Sequence, residues 1–358
     1  MQQDDPWAID RTGHSAQHYK ARAEATAEPP ASVSLEEALL ALDHKSAPVF
    51  AVLDGAQFEN LPQELLLGDF VSRPLYLDRG DNNPEQIITA PHMVWLDERP
   101  KKITGRTPKE TIPALLALVA NRPAAVFWQC PDGAEPLYKH LRGINMVLYP
   151  KAALSDFEEP QPAETDEIQK PEAPETHTLV LFRHADANVL AQTLAAMGAQ
   201  EIARLYGPAT RLIFAPAPDW ANGQDFWRAD RPEHLPDPHR GHLRISMATV
   251  GRTEGIRLQC NRGRIAAYLR RVAPDQTRDL DDATLNAMTG RYMNEARSYG
   301  VRSEAGMGRW CFLQLVAGGR MSGQKEIADY VAVPDGKKTA DERVRDLMAM
   351  VAFRASRK

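Results

Sequence analysis

Cysteine is scarce in this 358-residue chain. The three present, Cys130, Cys260 and Cys311, lie far apart and form no CxxC pair. That excludes a disulfide framework or zinc site legible in the sequence, and it fits a reducing compartment. Long hydrophobic runs are also missing. The longest helical one, residues 112–120, contains Pro113 and is far too short to span a bilayer. The N-terminal MQQDDPWAID has no basic stretch leading into an apolar one, so no signal peptide is visible and a cytoplasmic protein is expected. Positive charge is not in excess: 43 Lys and Arg face 48 Asp and Glu, a net of −5. This argues against a chain that is basic overall, as many nucleic-acid binders are, and says nothing against a local basic patch.

The common catalytic signatures are missing as well. There is no GxSxG and no HExxH. Gly336-Lys337-Lys338-Thr339 hints at a phosphate loop, but Val331 stands where the motif needs its first glycine, and Lys follows the Gly-Lys pair. Gly306-Met307-Gly308 lacks the preceding strand of a dinucleotide fingerprint. His14 and His18 have no third ligand nearby, and His234, Asp237, His239 and His242 sit in a proline-rich stretch with no apolar scaffold, so solvated histidines are the preferred reading of both groups. No cofactor or metal is expected.

What is present is organised around VFAVLDGAQFENLPQELLLG, residues 49–68. Val49 to Leu53 is an unbroken apolar run of strand length, suited to a strand buried on both faces. Asp54-Gly55-Ala56 turns the chain, because Asp bonds nearby N–H groups and Gly tolerates positive φ. Phe58, Leu61, Leu65 and Leu66 then recur at helical spacing, and Gly68 is the expected helix stop.

Before this stretch, residues 1–32 read as a flexible leader, and Ser34-Leu35-Glu36-Glu37 as a capping box. After it, short apolar strands at 74–77, 93–96, 124–128 and 144–149 alternate with helices at 111–120, where Pro113 would sit in the first turn, and 135–141. Residues 155–176 hold eight acids, one Lys and four prolines, too polar to bury, and are expected to loop between two strands that pair antiparallel, 144–149 and 178–182. Asp186 then caps a helix bearing Val189 and Leu190, a second helix ends at Tyr206-Gly207-Pro208, and 210–214 is a last strand. Residues 216–242 read as a linker. The remainder, 243–358, is mainly helical, with Tyr299-Gly300 ending one helix and Ser303 capping the next. The expected fold is therefore α/β: a domain over 33–215 with a mixed sheet and flanking helices, plus a mainly helical C-terminal lobe.

The order of these landmarks resembles the adaptor/chaperone family that loads toxic effectors onto the spike of the type VI secretion system. The resemblance rests on Leu53-Asp54-Gly55-Ala56 after a hydrophobic strand, then Phe182-Arg183, Asp186 and Val189-Leu190, then Tyr206-Gly207-Pro208 before a strand, and Tyr299-Gly300, Ser303 and Glu304 between two helices. It covers 48–215 and, more loosely, 256–350. Two departures stand out: the acidic insert replaces a short turn, and His184-Ala185 lies where aromatics are common. The resemblance implies a non-enzymatic cytoplasmic adaptor whose partners are a secreted effector and the spike protein. Two rivals remain beside it. Asp54 or Asp186 could act as catalytic carboxylates at a sheet edge. The arginines of 240–271, among them Arg252, Arg257, Arg262, Arg264, Arg270 and Arg271, could contact a protein partner's acidic surface or nucleic-acid phosphates. Against nucleic acid, Tyr268 is the only aromatic there, too few for a stacking platform, and the plainest reading is a solvated basic face.

Overall fold

A computed structural model describes residues 33–76, 84–120, 122–154, 176–221, 223–321, 323–332 and 338–355. The expected leader at 1–32, the turn at 81–83 and the acidic insert up to residue 175 lie outside the described residues. The chain forms two compact units that divide between Ile256 and Arg257.

In the first unit the elements are α1 (Leu35–Leu40), β1 (Val49–Leu53), α2 (Leu61–Leu67), β2 (Ser72–Pro74), α3 (Pro84–Thr89), β3 (His92–Trp95), α4 (Pro108–Val119), β4 (Ala125–Gln129), α5 (Ala134–Ile144) and β5 (Met146–Pro150). They continue with β6 (His177–Leu181), α6 (Ala187–Thr193), α7 (Ala199–Tyr206), β7 (Arg211–Phe214), β8 (Trp227–Asp230) and β9 (Leu243–Arg244). The unit division falls inside the next helix, α8 (Met247–Val272).

Strand β1 is buried along all five residues, as its unbroken apolar run requires. It lies near the middle of a six-stranded sheet ordered β2-β3-β1-β4-β7-β8. Phe50 and Val52 join Trp128, Leu212 and Phe214 in the core on one face, while Val49, Ala51 and Leu53 join Leu39, Leu61, Ile112 and Leu115 on the other. Each such buried side chain is worth about 1.5–3 kcal/mol of transfer free energy. A three-stranded sheet, β6-β5-β9, closes over the first of these cores through Val147, Val180 and Leu243.

The α/β architecture with a helical C-terminal region is what the sequence led us to expect. In detail, every pairing in the large sheet is antiparallel, and the parallel contribution is confined to β5 with β9. Strands β5 and β6 pair antiparallel on either side of the acidic insert, as expected. Three details differ. Helix α4 begins at Pro108, because Glu110 accepts from both the N–H and the hydroxyl of Thr107 at 2.8 Å, and this places Pro113 inside the helix rather than in its first turn. Helix α2 stops at Gly68, as expected, but the left-handed residue is the next one, Asp69 (φ 54°); Phe70 N–H reaches the Leu65 carbonyl and Asp69 N–H that of Leu66. Gly68 is still needed, since a Cβ there would meet the Phe70 ring at 2.6 Å. The stretch read as linker supplies β8, which pairs with β7, and β9 pairs with β5.

The second unit contains the rest of α8, α9 (Pro274–Thr277), α10 (Asp282–Ser298), α11 (Glu304–Val316), α12 (Lys325–Ala332) and α13 (Ala340–Ala355). Its core gathers Ile265, Leu269, Met293, Trp310, Leu313 and Val344. Glu295 anchors it internally, accepting from Trp310 Nε1 at 3.1 Å and from Gln314 Nε2 at 2.5 Å. Among the described residues, no helix is long and apolar enough to cross a membrane.

Candidate functional site

Two of the motifs that carry the resemblance meet in the first unit. Asp54 follows β1, and one of its carboxylate oxygens accepts from Ala56 N–H at 3.2 Å, which shapes the turn. Arg183 follows β6. Its Nε donates to Asp54 Oδ2 at 3.1 Å, its Nη2 donates to the same oxygen, and Nη2 also lies 3.3 Å from Asp186 Oδ2. Asp186 caps α6, accepting from the backbone of Asn188 at 2.8 Å and Val189 at 3.3 Å. The carboxylates are 5% and 9% exposed and the guanidinium between them 39%. Two buried acids thus share one cation. Burial pushes the Asp186 carboxyl above its usual range; Arg183 opposes the shift and Asp54 adds to it. The nearby Tyr76 hydroxyl is occupied, donating to the Thr89 carbonyl at 3.1 Å.

The flanking motif residues pack around this cluster. Leu53 is fully buried, whereas Ala56 is exposed. Gly55 is a steric necessity, because a Cβ there would lie 2.4 Å from the Ala90 carbonyl oxygen. Phe182 is buried and donates its N–H to the Asn145 carbonyl at 2.8 Å. His184 keeps a ring in the core: it meets Trp128 edge-on, with centroids 6.1 Å apart, and its Nε2 donates to Asn145 Oδ1 at 2.7 Å. Burial drives its pKa down to about 3.

Tyr206-Gly207-Pro208 closes α7 at a separate place in the unit. The Tyr206 hydroxyl donates to the Ala229 carbonyl at 3.0 Å. Gly207 has φ 52°, and a Cβ on it would collide with the His140 ring at 2.3 Å. Two further functional-looking carboxylates were not singled out in the sequence. Glu201 ties α7 to the start of α8, accepting from Gly198 N–H at 2.5 Å, Ser246 N–H at 2.7 Å and the Thr249 hydroxyl at 2.6 Å. Glu98, with its side chain fully buried, takes Arg106 Nη2 at 2.7 Å and Nε at 3.1 Å plus the N–H groups of Val71 and Arg106. Only the Gly198–Glu201 spacing, a capping pattern, offered a local signal.

In the second unit, Tyr299-Gly300 ends α10 with Gly300 at φ 87°; Gly300 N–H reaches the Arg297 carbonyl and Val301 N–H that of Ala296, the double bond of a Schellman stop. Tyr299 packs edge-on against Trp310, with centroids 5.3 Å apart. Ser303 caps α11 by accepting from Gly306 N–H at 2.9 Å and donates its hydroxyl to Asp341, which also takes Arg302 N–H at 3.0 Å. Glu304 pairs with Arg264 at 2.5 Å.

The six candidate arginines are used unevenly. In the first unit, Arg252 donates to the Ala196 carbonyl at 2.6 Å. In the second, Arg264 is spent on Glu304 and Arg270 on Asp282 and the Leu280 carbonyl. Arg262 lies against Gly290, while Arg257 and Arg271 are exposed, the latter 5.9 Å from the Tyr268 ring centroid.

Chemically, the Asp54–Arg183–Asp186 cluster is a fastener. Its acceptor atoms are committed to the chain's own N–H groups, and it lies at the junction of β1, β6 and α6. No protein-family profile, curated protein or solved structure matches the chain.

Proposed function

We propose that the chain is a cytoplasmic adaptor that holds a secreted effector and helps load it onto the spike protein of a type VI secretion system. The observation that carries this reading is the use made of the residues it shares with that family. Arg183 joins Asp54 and Asp186 across 129 positions of sequence into one buried cluster whose oxygens are already bonded. Residues spent in this way hold a scaffold in shape and leave no free base for a substrate. An adaptor also needs a surface for an extended piece of cargo, and β6 offers one. The N–H of Phe182 and the carbonyl of Thr176 are turned toward β5. By strand alternation, the backbone groups of His177, Leu179 and Leu181 are turned to the open edge, and Leu181 is 56% exposed.

The test is an affinity capture of the full chain from its own cells, with recovered proteins identified by mass spectrometry. Recovery of a spike protein together with one large toxin is the expected result. Recovery of nucleic acid, or of nothing above background, would count against the reading.

A further inference from the structure

Arginines in this protein are generally matched to acids. Arg106 holds Glu98, Arg211 and Arg228 share Asp230, and Arg183 bridges two aspartates. Others, such as Arg122 and Arg252, are held by carbonyls, and at one place three arginines without an acid gather. Between the ends of α5 and α7 and the loop before β9 lies an open pocket of about 350 Å³ lined by His140, Arg204, Gly207, Pro238, His239, Arg240 and Gly241. Arg204 is half-buried there. Its Nε donates to the Gly241 carbonyl at 2.9 Å, its Nη1 to His140 Nδ1 at 3.2 Å, and its Nη2 points to the Gly143 carbonyl at 3.5 Å. Arg231 reaches the same corner and donates to the Gly207 carbonyl. Arg240 is exposed at the rim. Among the described residues no carboxylate comes within ion-pair distance of Arg204, Arg231 or Arg240, and the acid on the neighbouring strand, Asp230, is already taken.

We propose that this pocket binds the phosphate group of a small phosphorylated ligand. A half-buried guanidinium held only by carbonyls and an imidazole has lost hydration without gaining a counter-charge, an expense that an anion in the pocket would offset. The histidines do not supply that anion. Nε2 of His140 donates to the Leu205 carbonyl at 2.7 Å, leaving Nδ1 to receive Arg204, so the ring is neutral and acts as a prop. Burial, with Arg204 and Arg231 nearby, holds its pKa down at about 4. The donors left over on the lining belong to Arg204, Arg240 and His239, and the positive charge comes from these two guanidinium forks, with Arg231 behind Gly207 adding to it. A carboxylate presents two oxygens and a single charge. A phosphate monoester presents three acceptor oxygens and close to two charges at neutral pH, the better match to two forks. The pocket's size suits a small molecule and not a folded partner. This inference stands apart from the adaptor reading and shares no residue with its fastener.

The test titrates the full chain with inorganic phosphate, with acetate and with a DNA oligonucleotide, at matched ionic strength, by calorimetry. Two charge reversals are compared: Arg240→Glu at the rim, and Arg257→Glu, an exposed arginine in the other unit, as a control of equal net charge. Both positions are exposed, so both variants fold. We expect saturable phosphate binding, acetate weaker, Arg240→Glu weaker by about tenfold or more, as for loss of a charge-assisted contact, and Arg257→Glu unchanged. Three results would overturn the proposal: acetate binding as tightly as phosphate, both variants weakening equally, or the unmodified chain showing no saturable phosphate binding. Tighter, Arg240-dependent binding of the oligonucleotide than of phosphate would overturn the small-ligand assignment in favour of a nucleic-acid backbone.

Discussion

Replacing Arg183 by Met keeps the length of the side chain and removes the cation. Asp54 and Asp186, 5% and 9% exposed, are then left as two neighbouring buried acids with no counter-charge. Breaking a fully buried pair costs about 3–5 kcal/mol. Because Arg183 is itself 39% exposed, water replaces part of what is lost, and the expected cost falls to about 2–3 kcal/mol. The three cysteines provide the assay. Cys130 is buried in the first unit and Cys311 in the second, so the rate at which each thiol is alkylated in the native protein reports the opening of its own unit. At a factor of ten per 1.4 kcal/mol, Arg183→Met should speed labelling of Cys130 about 30- to 150-fold and leave Cys311 as it was. The pH dependence follows from Asp186. Its folded pKa is already raised, so its contribution favours folding below the ordinary aspartate pKa and is lost as pH rises through the folded value. Without Arg183 that pKa rises further, and the deficit of the variant should shrink on acidification. A loss below about 0.5 kcal/mol, the scale of a surface ion pair, or a deficit that grows as pH falls, would refute the fastener.

Gly55→Ala drives a methyl into the Ala90 carbonyl at 2.4 Å and should cost about 1–3 kcal/mol, read by the same Cys130 labelling; an unchanged rate would show that the turn can shift. Replacing residues 155–175 by a short Gly-Ser linker should leave thermal melting nearly unchanged, since loop length alters closure entropy only slowly; a large drop in the midpoint would show that the insert is packed. His184 has its folded pKa lowered to about 3 from 6.5, so its contribution is complete above pH 6.5 and drains away as pH falls toward 3. Phenylalanine at this position should therefore flatten the acid limb of the first unit's stability curve, while costing stability at neutral pH by leaving Asn145 Oδ1 without its donor. Asp341→Ala should raise Cys311 labelling and not Cys130, because Asp341 holds the Arg302–Ser303 turn.

Local chemistry was legible wherever it was self-contained. The five apolar residues of β1, the Asp54 turn, the Ser303 cap and the Gly300 stop each declare themselves within a few residues, and the structure places them as read. Strand β8 escaped because Trp-Arg-Ala-Asp carries little apolar signal and earns its place only by pairing with β7. The bounds of the 26-residue helix α8 are not legible in the sequence, because Gly251, Gly255, Gly263 and a scatter of arginines blur its apolar period. The cluster itself was half legible. Asp186 reads as a cap and Asp54 as a turn, and both are. That Arg183 would join them depends on the ends of β1 and β6, strands of two different sheets, arriving at one place, which no window of sequence contains. The unmatched arginines around His140 are equally non-local, drawn from α7, the end of β8 and the loop before β9.

The fastener also sets a schedule. Asp54 emerges from the ribosome 129 residues before the arginine that neutralises it. At about 5–20 residues per second, that gap lasts roughly 6–26 s. For that interval the central strand of the sheet is finished but its terminal carboxylate has no cation beside it, so the nascent first unit must keep Asp54 in water. Translation past Arg183 is thus the earliest moment at which Asp54 can be buried with its partner, and β7 and β8 of the same sheet follow later still.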